Sequence, residues 1–351
     1  MVLSLLYGLL FASAAPADTI RLGAILPLTG PAAHIGAAQV QGLRLAIEEA
    51  NARGGVRGHG IVLVAEDSAA DPGKAIAAFR ALTVAPRVEV IFVSHSVPAL
   101  AVAPLSARHA VLLVNAGAQA DRLGVASPYL LNTLPPVATE TAVLVRHLRA
   151  ERKKTAVILH DNTAAGLSGR DDFADLFTQA GGTILAQEQS LFGQTEVGEE
   201  LDRLAAAKPD VMLVSLTAGI PGVARWHGQR GLRFTVAGTG FFRDPALIAE
   251  PSAEGFVWAG ARAAPAFERT SGVPLSFTAR QHHTAARMVL KALEDVLATG
   301  RPVTGTAARD AILTRGEFRN LTTGRTGNTA TAPIDLHVMR GGAAIIVTKA
   351  E

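Results

Sequence analysis

Small hydroxyl and amide residues follow two predicted strands in the first third of the chain, where they could bind an anion. Ser94-His95-Ser96 precedes a predicted helix with Pro98 in its first turn, and Gly117-Ala118-Gln119 follows the next strand. The first N–H groups of a helix carry partial positive charge and bind anions without a lysine or arginine. The two loops together therefore predict a carboxylate site, although Ser96 alternatively does no more than cap its own helix.

The segments that come nearest to known enzyme motifs do not match those motifs in residue spacing. Ser168 in the run 166–169 lacks the spacing of a nucleophile elbow. Gly30 to Gly36 has no following Lys-Ser/Thr, and Gly238-Thr239-Gly240 leads into two phenylalanines rather than a nucleotide-binding turn. We therefore expect no catalytic residue, no cofactor and no enzymatic activity.

Metal binding is not predicted either. His282 and His283 are adjacent, so on a helix they diverge by about 100° and cannot share one metal ion. We expect them to be solvated or to cap a helix. Asp171 and Asp172 are predicted to be charges at a helix N-terminus. The chain has no cysteine, which excludes disulfides, thiolate metal sites, a cysteine nucleophile and the lipid-bearing cysteine of a bacterial lipoprotein.

Length and composition indicate a globular protein of about two domains. Of 351 residues, 49% are apolar and 18% are charged, so large cores can form and disorder is not expected. The 33 basic and 30 acidic residues leave a net charge of +3 with no basic block, so we expect no nucleic-acid partner.

The N-terminus has the pattern of a secretory signal peptide. Residues 2–15 are an apolar run, and Ala15-Pro16-Ala17 offers a cleavage site before Asp18. We expect residues 1–17 to be removed and the mature protein to be exported in soluble form; a buried N-terminal strand or helix is the alternative. No other apolar run approaches the roughly 20 residues needed to span a bilayer.

The elements that position these loops begin with a strand–helix–strand unit at 20–67. Apolar residues predict strands at 20–28 and 61–65, and helical spacing predicts a helix from Gly36 to Gly54-Gly55. Such a unit implies parallel pairing with a right-handed crossover, and ligands of these sheets bind beyond the carboxyl ends of the strands. The runs 27–35 and 67–71 lie at that edge.

The strand–helix alternation occurs twice, with a division near residue 135 and two extra helices at 277–299 and 304–314 before a hairpin at 334–347. This pattern predicts an α/β protein of two doubly wound, Rossmann-like lobes with a cleft between them. Phe79 and Trp226 lie at helical spacing with other apolar residues and are expected in the core.

Several segments resemble the leucine/isoleucine/valine-binding family. They are IRLGAILPLTGPAAHIG at 20–36, EEANARGGV at 48–56 and EDSAADP at 66–72, with looser matches at 160–162, 208–211, 231–238 and 252–256. Members of this family are periplasmic solute receptors of ABC importers and have the type I fold. The resemblance covers about residues 20–348 and is most specific in the first lobe.

The resemblance implies two lobes joined by a three-stranded hinge that closes around a ligand. It assigns residues 18–133 and 261–320 to lobe 1, and 134–260 and 321–351 to lobe 2. It places the ligand's carboxylate at Ser96 and at Gly117, Ala118 and Gln119, in agreement with the anion site argued above. It further implies a periplasmic protein, expected to be a monomer, with an ABC permease and its ATPase as partners.

The chain departs from the family at positions that contact the ligand's amino group. Amino-acid binders have a tyrosine where this chain has Ala165 and an acid where it has Gly240. At two further positions where the family has aromatic residues, this chain has Thr217 and Ile35. His34 is expected at the mouth of the cleft. Leaving a ligand ammonium unpaired in the cleft would cost several kcal/mol.

These departures favour a small organic acid, an amide or an aromatic carboxylate over an α-amino acid. Phe241 and Phe242 could supply an apolar wall or lie in the core of the second lobe. The alternatives are a ligand-sensing receptor of the same fold, which the sequence does not separate from a transport protein, and a nucleotide-dependent α/β enzyme, which the missing phosphate-binding pattern disfavours.

Overall fold

The computed structural model describes residues 19–84, 87–262, 276–316, 318–319, 329–330 and 332–348. Within these residues, strands and helices alternate and the strands form two sheets of seven strands each. We call the first sheet with the helices packed on it the first lobe, and the second sheet with its helices the second lobe. The predicted α/β fold with two doubly wound lobes is confirmed.

The strands in chain order are β1 Ile20–Leu26, β2 Ile61–Asp67, β3 Val90–Val93, β4 Leu112–Asn115, β5 Leu130–Asn132, β6 Thr155–Asp161, β7 Thr183–Ser190, β8 Val211–Ser215, β9 Thr235–Gly238, β10 Val257–Ala261, β11 Phe318–Arg319, β12 Thr329–Ala330, β13 Ile334–Arg340 and β14 Ala343–Thr348. The order in the first sheet is β11-β12-β5-β4-β3-β1-β2, and in the second β14-β13-β10-β9-β8-β6-β7. Strands β1 to β5 pair in parallel, as do β6 to β10, while β13 and β14 form the predicted antiparallel hairpin.

The helices are α1 Ala33–Ala52, α2 Pro72–Val84, α3 Ser96–His109, α4 Val137–Ala150, α5 Ala164–Gln179, α6 Gly198–Ala206, α7 Ile220–Gln229, α8 Pro245–Ile248, α9 Phe277–Ala298 and α10 Gly305–Leu313. Short 3-10 turns lie at Asp121–Val125, Gly240–Arg243 and Pro251–Ala253. In the described part of the chain, no helix combines the length and apolarity required to cross a bilayer.

Each sheet is covered by helices on both faces, which gives each lobe two apolar layers. Strands β3 and β4 are buried along their whole length because side chains on both faces meet helices. The second sheet is enclosed in the same way. Phe79 and Trp226 are 1% and 6% exposed, which confirms their predicted core positions.

Helix α1 begins at Ala33 rather than at the predicted Gly36, and helix α5 begins at Ala164. In both cases the helix comes close to the strand before it: a Cβ on Gly36 would lie 2.0 Å from the carbonyl oxygen of Pro27, and one on Gly166 would lie 2.2 Å from Asp161 Oδ1. Glycine at these two positions lets each helix N-terminus approach the strand end, where ligands of such sheets bind.

Among the described elements, successive ones belong to different lobes at three places: from β5 to α4, from β10 to α9, and from β12 to β13. The predicted division assigned residues 321–351 to the second lobe. This boundary is too early, because Thr329 pairs in parallel with Asn132 of the first sheet. The predicted signal peptide at 1–17 lies outside the described residues.

Candidate functional site

A cavity of about 430 Å³ lies between the lobes, at the carboxyl ends of strands from both sheets. All nine predicted ligand-binding residues line it. The first lobe contributes His34, Ile35, Ser96, Gly117, Ala118 and Gln119, and the second contributes Ala165, Thr217 and Gly240. These residues are distant in sequence but lie together because each follows or faces the carboxyl end of a parallel strand, where ligands of such sheets bind.

The start of α3 supplies free hydrogen-bond donors to the cavity. Ser96 is the first residue of the helix, its side chain does not cap the helix, and its Oγ accepts from the N–H of Ala120 at 3.4 Å. The alternative role of Ser96 as a simple cap is therefore wrong, because His95 occupies the cap position. The N–H groups of Ser96 and Val97 have no acceptor among the described residues, as expected for the first turn of a helix.

The loop after β4 is held by its own side chains. Asn115 Oδ1 accepts from the N–H of Gly117 at 3.2 Å and of Ala118 at 2.8 Å. Gln119 Nε2 donates to the carbonyl oxygen of Pro135 at 3.0 Å and to Glu140 Oε1 at 3.2 Å. The N–H groups of Gly117 and Ala118 and the side-chain amide of Gln119 are thus already engaged, whereas the start of α3 carries free donors.

The other two residues of the predicted loop, Ser94 and His95, lie beside Gln39, which was not among the predicted site residues. Ser94 Oγ donates to Gln39 Oε1 at 2.8 Å and lies 3.1 Å from His95 Nδ1. Burial, followed by the nearby His34, lowers the pKa of His95 to about 4, so its ring is neutral at physiological pH. His95 also has a positive φ of 63°, a conformation that non-glycine residues adopt mostly where the surrounding structure imposes it.

The adjacent histidines are buried, contrary to the expected solvated or capping role. His282 and His283 are both 0% exposed because α9 packs along α1. His282 Nδ1 lies 2.9 Å from the carbonyl oxygen of Thr278, and burial lowers the pKa of this ring to about 4. His283 Nε2 lies 3.2 Å from Glu49 Oε2. No group of metal-ligating side chains is present in the described part of the chain.

We call the cavity lining from the first lobe the first wall and the lining from the second lobe the second wall. One aspartate, Asp161, holds the loops of the second wall in place. Asp161 Oδ1 accepts from the N–H and Oγ1 of Thr163, at 3.0 and 2.5 Å. Its Oδ2 accepts from the N–H and Oγ1 of Thr217, at 2.7 and 2.5 Å. The loops after β6 and β8 are thereby tied together, which brings Ala165 and Thr217 to the cavity.

Aromatic side chains face the cavity from positions that the family pattern did not indicate. Phe192, Phe241 and Phe277 line it, so the expected loss of aromatic walls is wrong for the cavity as a whole. Phe242, by contrast, is 0% exposed and packs in the second-lobe core beside Trp258. The sequence left both roles open for these two neighbours, and the 3-10 turn separates them.

Glu140 is a buried carboxylate at the junction of the lobes that sequence reasoning missed. Its oxygens accept from Gln119 Nε2 and from the N–H groups of Gly240 at 2.9 Å and Ala261 at 3.0 Å. Burial raises the pKa of Glu140, and the charge of Arg243 and these donors oppose the rise. A lone glutamate early in a mostly apolar helix was the available signal.

Asp244 lines the cavity too, but its Oδ1 caps α8 through the N–H of Ala246 at 2.9 Å.

The two lobes also contact each other directly. The rings of His95 and Phe192 meet edge to face with centroids 6.2 Å apart, and a Cβ on Gly193 would lie 2.8 Å from Pro31 Cβ. Asp172 lies in the middle of α5 rather than at its N-terminus. Burial, and then the facing carboxylate of Asp121 in the first lobe, raise the pKa of Asp172 to about 8.

Comparisons with known proteins agree with this geometry. A family model described as periplasmic binding protein matches residues 19–342. The Leu/Ile/Val-binding protein homolog 7 of Brucella abortus (strain 2308) is 31% identical over 229 residues, which cover 60% of this chain and 56% of that protein, or about half the relative's length.

Two solved structures share the fold. A branched-chain amino acid ABC transporter protein from Thermus thermophilus with bound valine superposes with a TM-score of 0.86 at 17% identity and covers 96% of this chain and 97% of that one. A solute-binding protein of an ABC transporter from Rhodopseudomonas palustris BisB5, in complex with 3,4-dihydroxybenzoic acid, has a TM-score of 0.80 at 23% identity and covers 95% and 98%.

Proposed function

Since this chain belongs to the periplasmic binding protein family, we propose that it captures a small carboxylate-bearing ligand between its lobes as the solute-binding component of an ABC importer. The observation that carries the proposal is the interlobe cavity, which is lined by Ser96 and Val97 in the first turn of α3, whose N–H groups have no acceptor among the described residues. A carboxylate at that place would be stabilised by the helix N-terminus.

The ligand we propose has an apolar body and no α-amino group. Phe192, Phe241 and Phe277 give the cavity aromatic walls. Glu140 accepts three N–H donors, so a ligand ammonium at that carboxylate would have to displace existing hydrogen bonds, at a cost of the order of 1–3 kcal/mol. Asp244 uses its Oδ1 to cap α8. The solved structures that share the fold hold valine in one case and 3,4-dihydroxybenzoic acid in the other, so both classes belong in a test.

Binding proceeds by closure in this proposal. The ligand docks on the first lobe, and bending at the three interlobe passes brings the second lobe over it and expels water. The protein acts in the periplasm after export, and the closed form is recognised by a permease coupled to an ATPase. No bond of the ligand is made or broken.

Calorimetric titration of the purified protein with benzoate, 4-hydroxybenzoate, 3,4-dihydroxybenzoate, leucine and valine tests the ligand class. We expect at least one of the acids to bind in the micromolar range or tighter and to bind more tightly than either amino acid. Tight binding of leucine or valine with no binding of the acids would contradict the proposed ligand class.

The transport role is tested separately by uptake of the radiolabelled acid that binds best. Cells that lack the gene should lose high-affinity uptake, and a plasmid copy should restore it. Unchanged uptake, with a changed transcriptional or motility response to the acid, would instead support the ligand-sensing alternative.

A further inference from the structure

One cationic side chain in the second wall has a bearing on which acid the cavity prefers; this inference rests on the proposed function. Arg243 ends the 3-10 turn after β9 and lines the cavity. Among the described residues that line the cavity, Arg243 alone carries a guanidinium or ammonium group. The two histidines in the lining are His34, which is exposed, and His95, which is neutral at physiological pH.

The guanidinium has no hydrogen-bond acceptor in the described part of the chain. Its Nη1 is enclosed by protein and has no partner there, and no ion-pair contact joins Arg243 to a described carboxylate. A guanidinium offers five N–H donors in a fixed plane, and enclosed donors without acceptors are costly. Such an arrangement is expected where an acceptor arrives with a ligand.

The two carboxylates whose negative charge acts most strongly on Arg243 are Glu140 and Asp335, and both form hydrogen bonds with other groups. Glu140 accepts from the N–H donors described above, and Asp335 is bound in bidentate fashion by Arg262, with Nε–Oδ2 at 2.9 Å and Nη2–Oδ1 at 2.7 Å. These carboxylates attract Arg243 through space but accept none of its hydrogen atoms. Glu140 therefore does not account for the donors of Arg243.

The position of the guanidinium is fixed by its neighbours. Its carbon lies 4.7 Å from the centroid of the Phe277 ring. On another side it meets the backbone of β10, since a Cβ on Gly260 would lie 2.9 Å from Nη2. The space beside Gly260 is thus what admits the guanidinium in this orientation.

A second cationic side chain lies near Arg243. Arg280 is close enough for its positive charge to lower the pKa of Arg243, although burial is the larger cause. The Nε of Arg280 is likewise enclosed and has no partner among the described residues. Burial lowers the pKa of the nearby His337 to about 4, so that ring adds no charge of its own at neutral pH.

We infer that Arg243 binds a second acidic group of the ligand, so that the preferred ligand is a small dicarboxylate with an apolar middle. One carboxylate lies at the start of α3 in the first lobe, and the other accepts from the guanidinium of Arg243 in the second. Arginine and carboxylate form paired, charge-assisted hydrogen bonds of this kind. The ligand thereby joins the two lobes, and its second acid group strengthens the closed form.

Matched pairs of acids test the inference, with terephthalate set against benzoate and adipate against hexanoate in calorimetric titrations. The wild-type protein should bind at least one diacid about tenfold or more tightly than its matched monoacid, as expected for an added charge-assisted hydrogen-bonded pair. The variant Arg243→Gln should lose that preference, because it should weaken binding of the diacid by more than binding of its matched monoacid. Arg243→Lys, which keeps the charge without the planar fork, should retain part of the preference.

A second variant tests the same inference without removing the arginine. Gly260→Ala should displace the guanidinium and reduce the preference for diacids, whereas Gly198→Ala, where an added Cβ meets nothing within 4 Å, should leave it unchanged. The inference is overturned if Arg243→Gln and Gly260→Ala both keep the wild-type preference, or if Arg243→Gln weakens monoacid and diacid equally. Monoacid binding that is sensitive to Ser96→Ala but shows no diacid preference would overturn this inference alone. Absence of binding by every acid would overturn the proposed function as well.

Discussion

Asp67 in the first lobe and Asp161 in the second have the same structural role in the two walls of the cavity. Asp67 Oδ1 accepts from the N–H groups of Leu28 at 2.7 Å and Ala69 at 2.8 Å, which ties the loop after β1 to the loop after β2. Asp161 ties the loop after β6 to the loop after β8 in the same manner. The two lobes thus use one construction, a carboxylate at the end of a strand, to fix the loops that face the ligand.

The chemistry that these loops present is different. The first wall offers small residues, neutral polar side chains and the N–H groups at the start of α3, whereas the second offers phenylalanine rings and the guanidinium of Arg243. The comparison shows that a shared topology fixes where the walls lie and leaves their composition free. We expect the first wall to hold a feature common to the ligands of the fold and the second wall to select among them.

Removing the hydroxyl of Ser96 should have the largest effect on this comparison. A hydrogen bond to a charged group is worth about 1.5–3 kcal/mol, so Ser96→Ala should weaken benzoate binding by roughly 10- to 100-fold in calorimetric titration. Ser106→Ala is the matched control, because Ser106 lies on the same helix but bonds to Ala103 and Ser127. If both variants bind benzoate as the wild type does, the Ser96 hydroxyl does not hold the carboxylate, and the backbone N–H groups at the start of α3 are its only donors there.

Truncating the second wall should have a smaller effect. Phe241→Ala removes aromatic surface from the cavity and should weaken benzoate binding by roughly tenfold, or about 1.4 kcal/mol. Phe242→Leu should lower the free energy of unfolding by about 1 kcal/mol, because Phe242 is fully buried, and should leave affinity nearly unchanged. Equal losses of affinity in the two variants would show that the 3-10 turn does not separate their roles.

The contact between His95 of the first wall and Phe192 of the second should contribute still less to ligand affinity. An edge-to-face aromatic pair is worth about 0.5–1.5 kcal/mol beyond its buried area, so Phe192→Ala should weaken benzoate binding by roughly threefold to tenfold through a less stable closed form. Leu191 is 64% exposed, and Leu191→Ala should have no effect. Small-angle scattering of the ligand-bound protein should show a more open form for Phe192→Ala, and an unchanged profile would contradict this explanation.

The smallest expected effect is on stability, and it comes from the carboxylates of Asp172 and Asp121, which face each other from the two lobes. The pKa of Asp172 is raised from 3.8 to about 8 by burial and by Asp121, with smaller contributions from Asp171 and Asp175. The folded protein therefore holds a proton that the unfolded chain has lost, so this group's contribution to stability falls as pH rises from about 4 and levels off above about 8.

Urea unfolding of wild type and Asp172→Asn between pH 7 and 9 isolates this contribution, because the histidines titrate in the unfolded chain to the same extent in both proteins and cancel in the difference. Asp172→Asn should flatten the decline in the free energy of unfolding from pH 7 to pH 8 relative to wild type, while Asp175→Asn should leave most of it. An identical slope in Asp172→Asn would show that the pair does not hold the proton.

The sequence was sufficient to predict the fold and the loops that surround the cavity. Strand spacing, glycines and prolines are local signals, and each predicted site residue follows or faces the end of a parallel strand. The contacts that decide the chemistry are long-range. Glu140 accepts from Gly240 and Ala261, which are 100 and 121 residues away in sequence, and no local pattern could pair them.

The same limitation explains the corrections. The expected solvation of His282 and His283 followed from their adjacency, whereas their burial follows from the packing of α9 on α1. The expectation that the aromatic walls are lost followed from three aligned positions, Ala165, Thr217 and Ile35, but Phe192 and Phe277 reach the cavity from other parts of the chain. A family pattern indicates which positions once contacted a ligand and does not indicate which new positions replace them.

Asn115 has a consequence for how the protein could be redesigned. Because its side chain already binds the N–H groups of Gly117 and Ala118, that loop does not have to be ordered by an incoming solute, and the entropy loss of association is reduced. The first lobe can therefore serve as a rigid receiving surface whose contribution stays constant. An engineer who seeks a biosensor for a new solute could leave this half untouched and vary the opposite lobe alone.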